Sequence, residues 1–248
     1  MWIRGDLKTR AKEALRANGY WIALAVVVII TVLTGLFSGA GRSGRGPMLE
    51  YRLDQSDLSR FMRFGWGMFP INPAWMGLIG IVATAYAIFV AFPLQVGKSR
   101  FFLEHRVRTS SIGTIFWPFM KPGYLNVVKT MFLQGLFIFL WSLLFIIPGI
   151  IKAYQYILAP YIMAENPDIE WRRALELSRR MTDGCKFDIF VLQISFIGWY
   201  LLGLIALVVG TLFVTTYVEA TMAELYAALR VKALESGFTS ESELPGVR

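Results

Sequence analysis

The chain is short of the residues that most chemistry needs: it holds one cysteine, Cys185, and one histidine, His105, in 248 residues. No internal disulfide can form, and neither a multi-histidine metal site nor a cysteine–histidine relay beyond that single pair can be assembled. Charge is scarce too, at 17% of residues, against about 25% in ordinary globular domains. The apolar segments contain no HExxH, GxSxG or GxxxxGK pattern, and no two carboxylates stand at a spacing that calls for acid–base work. No polar stretch is long enough to fold as a separate soluble domain. These shortages leave a hydrolytic enzyme without its usual groups, so the sequence predicts no catalytic residues, no bound metal and no cofactor.

Apolar sequence is abundant instead. Hydrophobic residues make up 56% of the chain, and the mean hydropathy of +0.53 places it among membrane proteins. The net charge of +8 is spread between the apolar runs rather than gathered in one patch, which fits anchoring at an anionic membrane surface and not nucleic-acid binding.

The organising stretch is Phe137 to Ala164, FIFLWSLLFIIPGIIKAYQYILAPYIMA, interrupted by Pro148-Gly149. Counted from Val127, a continuous helix would run roughly 57 Å, nearly twice a hydrocarbon core of about 30 Å. Proline removes a backbone donor and glycine tolerates a left-handed turn, so Pro148 and Gly149 are the expected reversal of a helical hairpin. The run from Phe187 to Leu229 is also too long for one crossing, and Gly210 is its expected turn. Gly149, Tyr156 and Ala159 recur at the spacing of Gly210, Tyr217 and Ala220, a weak echo that suggests a duplicated hairpin.

These divisions predict an all-α, polytopic membrane protein forming one integral membrane domain over residues 1–248. Its six spans, at about 20–37, 75–96, 127–147, 149–164, 187–209 and 211–229, pair as three hairpins. Residues 1–19 read as an amphipathic leader, with Leu7, Ala11, Ala14 and Leu15 against Arg4, Lys8, Lys12 and Arg16. Ser38 to Ala74 reads as an outer loop with an interfacial aromatic part. Lys98 to Asn126 carries a second short amphipathic helix with His105 on the surface. Asn166 and Pro167 are expected to start a cytoplasmic helix that Gly184 ends, and residues 230–248 form a polar, disordered tail. Lys and Arg number 18 on the side shared by the termini and five in the 38–74 loop, which predicts cytoplasmic termini in a multi-pass cell-membrane protein.

Several segments carry a family resemblance: Phe137 to Ala153, Ala159-Pro160-Tyr161 followed by Asn166-Pro167, then Ala174, Ser178, Met181 and Gly184, and finally Phe196-Ile197-Gly198-Trp199. Together these resemble the bacterial integral membrane proteins grouped as domain of unknown function 975, whose wider relatives include the membrane domains of some glycerophosphoryl diester phosphodiesterases. The resemblance implies a multi-span helical protein of the bacterial membrane and brings no catalytic residues. Those relatives keep their chemistry in a separate soluble domain.

Polar groups inside the spans are the remaining candidates, because intramembrane ionisable residues are costly. Lys129 and Lys152 are placed where they can snorkel to headgroups, Lys152 near the outer tip. Glu219 falls deeper, about 13 Å beyond Gly210 by helical rise. Gln134, Gln155 and Gln193 are its expected partners in a candidate intramembrane polar site. The expected function is non-catalytic: binding or organising membrane lipids, or a membrane protein partner. The alternative is a transporter or transport accessory built around Glu219.

Overall fold

A computed structural model of the chain describes residues 2–38, 73–205 and 209–246; the expected outer loop and its aromatic segment lie outside the described residues. Those residues are overwhelmingly helical, and no strand occurs among them.

Helix α1 (Arg4–Asn18) buries Leu7, Ala11 and Leu15, the four-residue spacing of one helical face. Gly19, at φ 102°, ends it. Helix α2 (Tyr20–Ser38) then departs at 100°. Next, α3 (Pro73–Tyr86), a π-helical turn (Ala87–Ala91) and α4 (Phe92–His105) follow one another without a break. The π turn has a local cause. Pro93 has no N–H to give the Phe89 carbonyl, which is free to accept a hydrogen bond from the Tyr124 hydroxyl at 2.5 Å.

The 3-10 helix Ile112–Met120 folds back on α4. A Cβ at Gly97 would stand 1.8 Å from the Ile115 carbonyl oxygen, so only glycine allows this approach. Phe101, Phe102 and Leu94 of α4 and Ile115 of the returning turn are essentially buried. They form one core with residues from α5 (Tyr124–Leu144), α7 (Ala159–Glu165), α8 (Trp171–Met181), α9 (Lys186–Ile194) and α11 (Val209–Glu235).

The central hairpin departs from expectation. The chain breaks at Phe145, which is extended (φ −154°, ψ 142°), and α6 (Ile146–Gln155) already contains Pro148 and Gly149. A helix leaves its first N–H groups unpaired in any case, so proline is tolerated in the first turn, and Pro148 marks the new helix rather than the break. Gly149 has no positive φ. Its role is close approach, since a Cβ there would meet Ser142 Oγ at 2.1 Å and Ser142 Cα at 2.7 Å.

The second hairpin follows the same design. Helix α10 (Ile197–Ile205) packs against α11, and a Cβ on Gly203 would lie 2.8 Å from the Gly210 carbonyl carbon. Gly210 is helical, in the first turn of α11, and the missing side chain of Gly203 is what admits its backbone. In both helix pairs a glycine permits contact between residues seven positions apart: Gly149 beside Ser142, and Gly203 beside Gly210.

Two further expectations are corrected. Residues 149–164 are not one helix: α6 ends at Gln155 and α7 begins at Ala159, because Pro160 interrupts the ladder. The groups freed there are repaired by side chains. Gln134 donates to the Tyr156 carbonyl at 3.1 Å, Ser178 donates to the Gln155 carbonyl at 2.8 Å, and the Ser178 oxygen accepts from the Leu158 N–H at 3.3 Å. The tail is not loose either. Helix α11 runs to Glu235, Leu244 is fully buried, and Arg173 holds Glu243 at 2.9 Å. The helix expected from Asn166 starts at Trp171, because Asn166 is spent on the turn before it and on the tail, accepting from the Asp168 N–H and donating to the Glu243 carbonyl.

Among the described residues, three helical segments are long and apolar enough to cross a membrane: Gly77–His105, Tyr124–Leu144 and Lys186–Leu204. A fourth results if the bent pair α1 and α2 counts as one.

Candidate functional site

The carboxylate expected to mark an intramembrane site, Glu219, is held by a cation. Glu219 pairs with Lys98 at 2.6 Å, each side chain 19% exposed. One and a half turns further along α11, Glu224 accepts from Arg106 Nε at 2.7 Å and Nη2 at 3.1 Å. Arg230, next on the same helix, reaches Glu165 at 3.1 Å, while Arg100 bonds Glu104 at 2.9 Å and the Ala164 carbonyl at 2.8 Å. The pairs join α4 and α7 to α11 as a ladder of charge-assisted bonds.

Outside the spans, burial pushes the Glu165 carboxyl up and the Arg230 guanidinium partly opposes this. Arg173 holds the Glu243 carboxyl below its usual range. Burial also lowers the Lys8 ammonium, reinforced by Lys12, and Lys8 donates to Ser195 Oγ at 2.7 Å.

The three glutamines do not gather around Glu219. Gln134 serves the Tyr156 carbonyl, Gln193 Oε1 accepts from the Tyr154 hydroxyl at 2.8 Å, and Gln155 is buried with Oε1 unpaired. They cluster at the C-terminal end of α6, while Glu219 lies at α4. His105, expected at the surface, is 2% exposed and stacks on Phe101 at 5.1 Å between centroids. Its ring lies against the Gly19 backbone, and neither nitrogen reaches bonding geometry.

The Lys152 ammonium sits over the Trp141 and Tyr156 rings at 5.1 and 5.7 Å, and the charges of Arg179 and Lys186 act on it. Trp141 stands four residues before the break at Phe145, so Lys152 stays on the reversal while also facing basic residues of α8 and the start of α9, a packing between distant segments that no local pattern signals.

Three cavities bear on function. One of about 610 Å³ is largely apolar and lies between α2, α3 with its π turn, and α5, lined by Ala83, Ala87, Phe92, Phe132, Leu136 and Phe139. One of about 310 Å³ is polar and flanks the ion-pair ladder at Arg10, Arg106, Glu165, Glu224 and Arg230. The third, about 370 Å³, lies at Gln155, Glu176, Arg179, Arg180, Asp183 and Lys186. Among the described residues no group of three or more His, Cys, Asp or Glu side chains is placed to hold a metal ion.

The geometry defines a class first: an all-helical protein with several helices of membrane length and composition, braced internally by ion pairs. A family model described as "Protein of unknown function (DUF975)" matches residues 75–233. The chain belongs to that family. Searches of the curated proteins and of the solved structures found no match.

Proposed function

We propose that the protein is a multi-pass component of the bacterial cell membrane that binds and organises lipids or a partner membrane protein without doing chemistry on them. Its long apolar helices lie in the bilayer, with the reversal at Phe145 inside the hydrocarbon and both termini on the cytoplasmic side. The observation that carries this reading is the division of its surface. The hairpin tip exposes Leu143, Phe145, Ile146 and Ile147 at 67 to 75%, surface that only an apolar surrounding stabilises. Arg4 of the basic helix α1 pairs with Asp188 in the first turn of α9, and Lys186, which opens α9, pairs with Asp183 in the turn that follows the basic helix α8. Cations at that level suit anionic headgroups.

The carboxylates of the ladder are engaged as structural partners of Lys98, Arg106 and Arg230, which supports a binding role over acid–base chemistry. The transport alternative needs Glu219 among polar partners in a pathway. Lys98 gives that carboxylate a bracing role instead, and the glutamines lie apart from it.

The test is mild extraction and purification of the full chain, with identification of the lipids and proteins that remain bound. Enrichment of one lipid class, or a stoichiometric membrane protein, is expected. A lipid composition equal to the bulk membrane with no companion protein would overturn the proposal.

A further inference from the structure

The cavity between α6, α8 and the start of α9 carries more positive charge than its own carboxylates neutralise. Glu176 Oε1 is taken by Arg180 at 2.6 Å and Asp183 Oδ1 by Lys186 at 2.8 Å. Arg179 lines the same cavity, and Lys152 feels its charge and that of Lys186. Neither Arg179 nor Lys152 has a carboxylate within ion-pair distance among the described residues. The lining holds three cations, Arg179, Arg180 and Lys186, against two carboxylates, an excess of one positive charge, and Lys152, three residues before the lining residue Gln155 and so on the same face of α6, brings a second. Like charges held together at the edge of an apolar body repel each other unless an anion lies between them.

We infer that Lys152, Arg179 and Lys186 bind the phosphate of an anionic phospholipid headgroup. The inference rests on the lipid-organising reading above and names the lipid class and its seat. A phosphodiester supplies the missing negative charge and acceptor oxygens for the Arg179 fork and the two ammonium groups. The volume, about 370 Å³, falls within the roughly 300–1,000 Å³ of small-molecule sites. The surroundings select a lipid over free phosphate. Ile150 and Ile151 of α6, and Phe187 and Phe190 of α9, are exposed apolar side chains on the helices that border the cavity, and acyl chains attached to the bound phosphate would cover them. Trp141 and Tyr156, whose rings flank the Lys152 ammonium, are residues that favour the headgroup level.

The experiment is native mass spectrometry of the full chain in mixed micelles of phosphatidylglycerol and phosphatidylcholine, for the natural sequence, Lys152→Gln/Arg179→Gln, Lys152→Arg/Arg179→Lys and Arg172→Gln. Arg172 packs on Trp171 of the same helix, outside the cavity. The natural protein is expected to retain phosphatidylglycerol preferentially. The Gln pair should lower that preference ~10-fold, the equivalent of one strong charge-assisted contact. The charge-keeping pair and Arg172→Gln should preserve it, which separates headgroup binding from misfolding. Unchanged preference in the Gln pair, or an equal loss in Arg172→Gln, would overturn the site. Displacement by inorganic phosphate as effective as by phosphatidylglycerol would overturn the lipid assignment. Retention of phosphatidylcholine alone would reject this site while leaving the organising role standing, whereas retention of no lipid and no protein would reject both.

Discussion

Lys98 Nζ and Glu219 Oε1 stand 2.6 Å apart, joining the rod that ends at His105 to the last long helix. With both side chains only 19% exposed, each is the other's main compensation for lost hydration. Glu219→Ala leaves a poorly hydrated ammonium and should lower stability by about 1–3 kcal/mol. Glu219→Leu combined with Lys98→Met should recover most of that loss, since replacing a whole pair by apolar groups is often neutral. Thermal midpoints in detergent provide the check. A double variant less stable than either single one would show that the pair does more than brace the helices.

At the central hairpin, Gly149→Ala should cost about 1–3 kcal/mol, because the new methyl collides with Ser142. Ser142→Gly in the same chain removes the Oγ and Cβ atoms that the methyl would meet at 2.1 and 2.8 Å, but the Ser142 backbone carbon remains 2.7 Å away, so rescue should be partial. Unfolding midpoints of the two variants decide this. Full stability in Gly149→Ala alone would mean that the two helices do not approach closely there.

These hairpins show how far the sequence could be read. Helix length against bilayer thickness called for a break within Val127 to Ala164, and the helix does break there, with Gly149 packed on Ser142. The break, however, sits at Phe145, three residues before the proline, because proline is harmless in a first turn and marks starts as readily as stops. The amphipathic face of α1 was legible from Leu7, Ala11 and Leu15, and Gly19 does end it. The site was far less legible. Glu219 stood out for its depth, yet its partner is 121 residues away in sequence and no local pattern points to Lys98. Nor does any local pattern bring Lys152 to Arg179 and Lys186, which follow it by 27 and 34 residues. The docked tail was hidden by its polar composition, since what fixes it is Arg173, distant in sequence.

That tail should respond to acid. The Glu243 carboxyl is held below its usual range by Arg173. Its contribution is therefore complete above the unfolded-state value and lost as pH falls through the lower folded value. Glu165, also in contact with the tail through the Gly246 N–H at 3.3 Å, is pushed up by burial, so its protonation favours the folded state and its contribution is lost as pH rises. A spin label at the exposed Glu241, in a Cys185→Ser background, should be immobile at neutral pH and gain mobility in acid, below the ordinary titration range of a glutamate. Glu243→Gln should be mobile already at neutral pH. Equal mobility in the two chains at every pH would show that the Arg173 pair does not hold the tail.

The central claim is that the apolar tip from Leu143 to Ile147 lies in hydrocarbon while the basic helix α8 lies at the headgroups. Its most direct test is the accessibility of spin labels at Ile147 and at Arg180, each in a Cys185→Ser chain reconstituted in vesicles. The label at Ile147 should collide more with oxygen, which concentrates in the bilayer, and the label at Arg180 more with a water-soluble nickel chelate. Equal exposure of both labels to the chelate would contradict the account.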